Sequence, residues 1–390
     1  MTSPRFPWTP ILALTLGTLW TVTAELIPAG LLLDISHDTD VSPSRVGLLV
    51  TAWGVAIAAL SIPLTRATRR LDRRHLLVGS LAGTGLATVL TSLAPSYEIL
   101  LAARVAAAAG HGLFWASVVV SAVSLVAEQH SSRAVALVVA GPTVAAVAAI
   151  PAATALGERL GWRPAFALVG MLTLATAALL AATLPRMAAA PEGPPGLRDP
   201  STAAVVRTAV LGALILVAHF LAFTFIAPLL GGHTSLALLV FGAAGVLGLL
   251  VAPAASRRYP ESGLAITAFA LAASLLLVAL ARHDVATALL AVGLWGGVIG
   301  ALPVIFQVRL LALASEAFRP TAGAVMVVAL NLGVAVGAAL GGLVHQQAGA
   351  APLPIIAAGL ALAAAVALAR RTTAPSQEKR PVAPALSHAE

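Results

Sequence analysis

The sequence predicts an all-α integral membrane protein of twelve transmembrane helices, arranged as two parallel six-helix repeats. Three observations carry this. The 390 residues are 59% hydrophobic and only 10% charged, whereas a soluble domain carries about a quarter charged residues. The charged residues bound apolar runs, each about one bilayer thick. The chain also matches itself weakly but consistently at an offset of 188 residues.

Runs without Asp, Glu, Lys or Arg cover residues 105–127, 134–157, 164–185, 262–281 and 285–308. About 20 residues at about 1.5 Å rise cross about 30 Å of hydrocarbon, so each run holds one helix. Two longer runs, 208–256 and 320–369, are broken near Gly231-Gly232-His233 and between His345 and Pro354, and each reads as two spans. Spans near 11–33, 44–65 and 76–94 bring the number to twelve, the run 105–127 being part of a span over 98–127. Helix is preferred because no backbone polar group stays unpaired in lipid, and the period-two alternation of a barrel is missing. The first run is too long for a signal-peptide core and contains Glu25, so it is expected to be retained. With no cysteine, disulfides and thiolate metal sites are excluded.

The net charge of +8 does not point to nucleic acid. Of the 23 basic residues, Arg104 lies in a span and Arg45, Arg159, Arg163 and Arg282 fall on one side; the other 18 fall on the side of the termini, spread over separate loops. That asymmetry predicts cytoplasmic termini in the plasma membrane and no nucleic-acid partner.

At the 188-residue offset Trp53-Gly54 falls on Phe241-Gly242, Arg69-Arg70 on Arg257-Arg258, Gly112 on Gly300, Glu128 on Glu316 and Gly161 on Gly349. Six spans separate the copies, so both enter the membrane in the same orientation, and a substrate site is expected between them near the midplane. The expected organisation is an N-terminal half over 1–186, a Pro-, Ala- and Gly-rich cytoplasmic linker over 187–206, a C-terminal half over 207–371 and a disordered cytoplasmic tail over 372–390.

Local motifs add a resemblance. These are Thr23-Ala24-Glu25-Leu26 with Gly30-Leu31-Leu32, Leu49-Val50-Thr51-Ala52, Ala103-Arg104-Val105 with Gly110-His111-Gly112, Gly161-Trp162-Arg163, Phe223 to Pro228, and Ala329-Leu330-Asn331-Leu332-Gly333. In them the chain resembles the drug:proton antiporter branch of the major facilitator superfamily, and is similar to arabinose-efflux and chloramphenicol-efflux permeases. The resemblance implies the major facilitator fold, with spans 1 and 4 as neighbours.

Glu25 is the one acidic residue placed well inside a span, about 12 Å from the outer end of span 1. A charged, unpaired carboxyl at that depth costs several kcal/mol, so its protonation can be coupled to a change of conformation. The alternative is a carboxyl that only holds helices together. Arg104, the one base within a span, lies about 9 Å deep in the same outer half. The resemblance implies proton coupling for both positions, and an interaction between them, direct or through water, is expected. Otherwise Arg104 snorkels to the interface and serves packing.

The substrate cavity is expected to include His111 and Trp115 on span 4, His219, Phe220 and Phe223 on span 7 with Phe225 beside them, and Asn331 on span 11. Each alone also suits interhelical packing. The loop Arg69, Arg70, Asp72, Arg73, Arg74 stands where the resembled family has its gating loop, but lacks that pattern's Gly and first Asp; a positive-inside anchor explains it as well. Gly141, Pro142 and Pro151 on span 5 resemble an antiporter motif, with Ala149 where relatives carry Gly.

The function expected is proton-coupled efflux of small hydrophobic or amphipathic compounds such as chloramphenicol-like drugs, by alternating access. Sugar or metabolite efflux is the alternative, and uptake by proton symport a further one. No enzyme activity, cofactor or metal site is expected, since no second catalytic group stands near Glu25 and the histidines lack ligand spacing. The partners are the lipid bilayer, a small-molecule substrate and protons, with the chain acting as a monomer.

Overall fold

The computed structural model describes residues 6–68, 70–187, 199–281 and 284–372, and among them no strand occurs. The helices are α1 Trp8–Gly30, α2 Leu32–Asp38, α3 Pro43–Thr68, α4 Arg73–Ser92, α5 Tyr97–Ser124, α6 Ser131–Val144, α7 Ile150–Leu160, α8 Trp162–Thr183, α9 Thr202–Phe223, α10 Ile226–Leu230, α11 Thr234–Arg258, α12 Gly263–Ala281, α13 Val285–Leu313, α14 Arg319–Ala348 and α15 Leu353–Thr372. A π-helical turn, Ala145–Ala149, joins α6 to α7. Among the described residues twelve stretches are long and apolar enough to cross a bilayer, α6 with α7 and α10 with α11 each counting as one. Both chain ends therefore lie at one end of the bundle; the opposite one is called the far end below.

The helices depart from expectation at the start of α9 and after the first and seventh spans. Residues 202–206, expected in the linker, already belong to α9, and 188–198 and 373–390 lie outside the described residues. Short helices α2 and α10 follow the first and seventh spans, each set off by non-helical dihedrals, at Leu31 and at Phe225.

The repeat pairs occupy matching structural positions. Gly161 and Gly349 each end a helix with φ of +89° and +73°, a conformation open to glycine without a Cβ clash. Glu128 and Glu316 each begin a 3-10 turn before the fifth and eleventh spans. Gly112 faces Ser61 of α3, and Gly300 faces Gly245 of α11. Gly54 lets α3 approach α14 so closely that a Cβ there would come within 2.8 Å of the Asn331 carbonyl oxygen. Gly242 does the same for α11 against Ala146 and Val147 of the π turn.

Small residues bring neighbouring spans together, as lipid supplies no hydrophobic force between helices. At the crossing of α4 and α8, a Cβ on Gly85 or Gly170 would lie 3.1 or 3.0 Å from the other's carbonyl oxygen. Gly248 and Gly300 press α11 onto α13 in the same way. Leu247, Leu250, Leu280 and Leu290 stand exposed on the outside, which suits a hydrocarbon solvent. Between α1–α8 and α9–α15 the close approaches run from mid-span, at Gly54 and Gly242, to the far end, where Ser44 lies beside Gly342, the Phe225 ring over Gly47, and Ser235 N donates to Glu158 Oε1 at 3.2 Å.

Candidate functional site

Two prolines set up the N-terminal part of the site. Pro28 has no N–H, so the Ala24 carbonyl four residues back in α1 loses its helical donor. Arg104 of α5 fills the vacancy: Nη1 donates to Ala24 O at 2.5 Å and Nη2 to Glu25 O at 2.9 Å. Pro142 likewise frees the Val138 carbonyl of α6, and Thr18 Oγ1 of α1 stands 2.8 Å from it. Gly141 makes room for that approach, since a Cβ there would lie 2.5 Å from the Thr15 carbonyl oxygen. The glycine and proline of the span-5 motif thus seat span 5 on span 1. Pro151 begins α7 just after the π turn. Ile150 N–H donates back to Ala145 O and Pro151 has none, so the Ala146 carbonyl is left without a helical donor and faces Gly242.

Arg104 is 0% exposed, so it does not snorkel. Its guanidinium lies 4.1 Å from the ring centroid of Trp53 on α3, and 5.9 Å from that of Phe166 on α8. The expected meeting of Arg104 and Glu25 runs through Glu25's backbone. The carboxylate turns instead to His111, with Oε2 3.6 Å from Nε2. The side chain of Glu25 is 14% exposed and that of His111 7%. His111 in turn meets Trp53 edge-on at 5.3 Å between centroids and lies 6.2 Å from Trp115. Glu25, Arg104, His111 and Trp115 therefore form one cluster on α1 and α5, with Trp53 between base and imidazole. Trp53 stood out in the sequence only as a repeat position.

A second cluster joins α9, α11 and α13. His219 is ringed by Phe220, Phe223, Phe241 and Trp295, with ring centroids 4.6 to 5.9 Å away. Trp295 Nε1 donates to His219 Nδ1 at 3.1 Å. Phe241 and Trp295 were not singled out for the cavity; an aromatic inside a wholly apolar run carries no periodic signal. Phe225, expected beside His219, stacks on His345 at 5.0 Å instead, because α9 ends at Phe223 and the chain turns there. Asn331 donates its amide to the Val327 carbonyl of its own helix at 2.9 Å.

In the loop before α4, Arg69 lies outside the described residues and Arg70 is exposed. Asp72 caps α4, accepting from Arg74 N at 2.7 Å and from Met187 N at 3.1 Å. Desolvation would raise its carboxyl, but these N–H donors, with that of His75, outweigh it and hold the group below the usual carboxylate range. Arg74 Nη2 reaches the Ala181 carbonyl at 2.5 Å, and Arg73 N donates to Met187 O at 3.3 Å. The loop thus ties α4 to the end of α8. At the far end Asp38 accepts from Trp162 Nε1 at 3.0 Å and from Arg163, which also reaches Ala94 O. The Gly161-Trp162-Arg163 motif fastens three loops together.

The model of the Major Facilitator Superfamily matches residues 11–261, more than half of the chain. The chain belongs to the Major Facilitator Superfamily. It is 31% identical over 365 residues to chloramphenicol efflux pumps of Mycobacterium tuberculosis strains CDC 1551 / Oshkosh and H37Rv, covering 87% of this chain and 88% of each relative. Among solved structures it is similar to the xylose transporter XylE from E. coli in a partially occluded inward-open conformation, with TM-score 0.73, 15% identity, and 94% and 97% of the two chains covered. It is also similar to a bacterial homologue of the human lysosomal transporter Spinster, inward-facing and unoccupied, with TM-score 0.68, 18% identity, and 96% and 100% covered. As a member of this superfamily the chain is a multi-pass plasma-membrane transporter of small molecules.

Proposed function

We propose that this transporter exports small hydrophobic or amphipathic drugs of the chloramphenicol type in exchange for protons. Two relatives bear the name of chloramphenicol efflux pump over nearly their whole length. The observation that carries the proton half is Glu25, a nearly enclosed carboxyl that forms no ion pair with an arginine among the described residues and sits 3.6 Å from His111. A carboxyl so placed exchanges one proton as its surroundings change. Arg104 serves it as a positioning residue: by filling the carbonyl that Pro28 frees, it fixes the turn of α1 that aims the carboxyl at His111.

The matching positions of the repeat pairs support two halves, 1–186 and 207–371, that rock about the site. The asymmetry of the basic residues supports cytoplasmic termini, and in that orientation the far-end contacts correspond to a state closed outward. In this cycle Glu25 takes a proton when the far end opens and the drug leaves. The protonated carrier then reorients, and Glu25 releases the proton inward as the next drug molecule binds. The charge on Arg70, Arg73 and Arg74 stays at the cytoplasmic face, and the protein works as a monomer.

Inverted membrane vesicles test this. An imposed proton gradient is expected to drive chloramphenicol accumulation by the wild type; Glu25→Gln is expected to keep chloramphenicol binding but lose the gradient-driven accumulation. Wild-type coupling in that variant overturns the role of Glu25. A wild type that neither binds nor moves chloramphenicol overturns the drug reading.

A further inference from the structure

The second cluster goes beyond an apolar wall. Trp295 Nε1 is only a donor, so His219 Nδ1, 3.1 Å away, must be the acceptor, and the neutral imidazole carries its proton on Nε2. That nitrogen is bonded to nothing among the described residues, nor is it one of the side-chain atoms sealed from solvent without a partner, so it opens on space. His219 is nevertheless 97% buried, being 3% exposed, and Phe241 stacks on it with planes 10° apart. Phe220 and Phe223 close two more sides. The result is one N–H of fixed direction set in an aromatic surface.

We propose that His219 is the hydrogen-bond donor of a drug subsite on α9, α11 and α13, which takes an aromatic ring bearing an acceptor such as a carbonyl or nitro group. The aromatic side chains supply stacking area at little entropic cost, and the single N–H orients the ligand. Trp295 is a positioning residue: its indole N–H fixes the tautomer and touches no ligand. The subsite rests on the drug-export reading and names the chemistry that this reading leaves open.

The test is chloramphenicol binding to the purified transporter in lipid nanodiscs, with thermal unfolding run beside it to score folding. His219→Phe keeps the aromatic wall and removes the N–H; affinity is expected to fall about three- to tenfold, the worth of one neutral hydrogen bond. His219→Gln can accept from Trp295 and still donate, and is expected to stay within about twofold of wild type. Trp295→Phe is expected to weaken binding when His219 is present and to have no further effect in His219→Phe. Unchanged affinity in His219→Phe, or a His219→Gln as weak as His219→Phe, overturns the donor role while leaving drug export standing. A wild type without chloramphenicol binding overturns the export reading, and the subsite with it.

Discussion

Arg104 shows how a buried base can be structural and still serve chemistry. Its fork spans two successive carbonyls of α1, and its face lies on Trp53. Lysine offers a point charge on a flexible stem and cannot reproduce both bonds and the stacking. Arg104→Lys is therefore expected to destabilise the purified protein by about 1–3 kcal/mol, the cost of a buried group left unpaired, read as a lower midpoint of thermal unfolding. Thr18→Val, which unpairs only the Val138 carbonyl, is expected to cost about 1 kcal/mol. Both partners were legible in principle: each lies opposite the residue four before a proline, Pro28 and Pro142. The sequence flags the freed carbonyl but not which span turns a donor toward it, and so the carboxyl of Glu25 was expected at Arg104 rather than at His111.

At the scale of an element, glycines divide by what a methyl would strike. Gly242 faces backbone of the π turn, which cannot step aside, whereas Gly79 and Gly83 have no atom within 4 Å of an added Cβ. Gly242→Ala is expected to force α11 from α7 and to cut transport at least tenfold in the vesicle assay; Gly79→Ala, in open helix, is expected to raise stability by up to about 1 kcal/mol. The loop before α4 carries a pH signature. The Asp72 carboxyl titrates below its unfolded value, so its contribution is present above the usual carboxylate range and is lost as pH falls through the depressed value. The protection of the Arg74 and Met187 amides against hydrogen exchange, taken relative to the intrinsic rate at each pH, is expected to fall as acid crosses that value, and to show no such step in Asp72→Asn. The spans themselves were legible because charge marks their ends. The short helices α2 and α10 were not, since nothing charged separates α10 from α9 or α11 and a proline bend looks like a continuing helix.

For the whole molecule, the most legible feature was the repeat. Gly161 with Gly349 and Glu128 with Glu316 could be paired because turn geometry and polar caps admit few residue types, while the apolar positions between them accept many. The site was legible in part: Glu25, Arg104 and His219 stood out as polar groups in lipid, but the rings packed beside them, Trp53 on Arg104 and Trp295 on His219, are aromatic residues among other apolar ones. The repeat also predicts what must move. If the halves rock, the α3–α14 approach at the far end has to open once per cycle. An ideal Cβ on Gly342 lies 4.0 Å from Ser44 Cα, so the two Cα atoms are no more than about 5.5 Å apart, within the reach of a disulfide, whose Cα atoms lie about 4.4–6.8 Å apart. The natural chain has no cysteine, so Ser44→Cys with Gly342→Cys introduces the only thiols. Oxidation is expected to cross-link the pair and bring chloramphenicol accumulation in vesicles to background, reduction to restore it, and each single variant to ignore both treatments. Accumulation that continues in the fully cross-linked protein would mean that the far end stays closed while drug crosses, and would exclude rocking of the halves as the route.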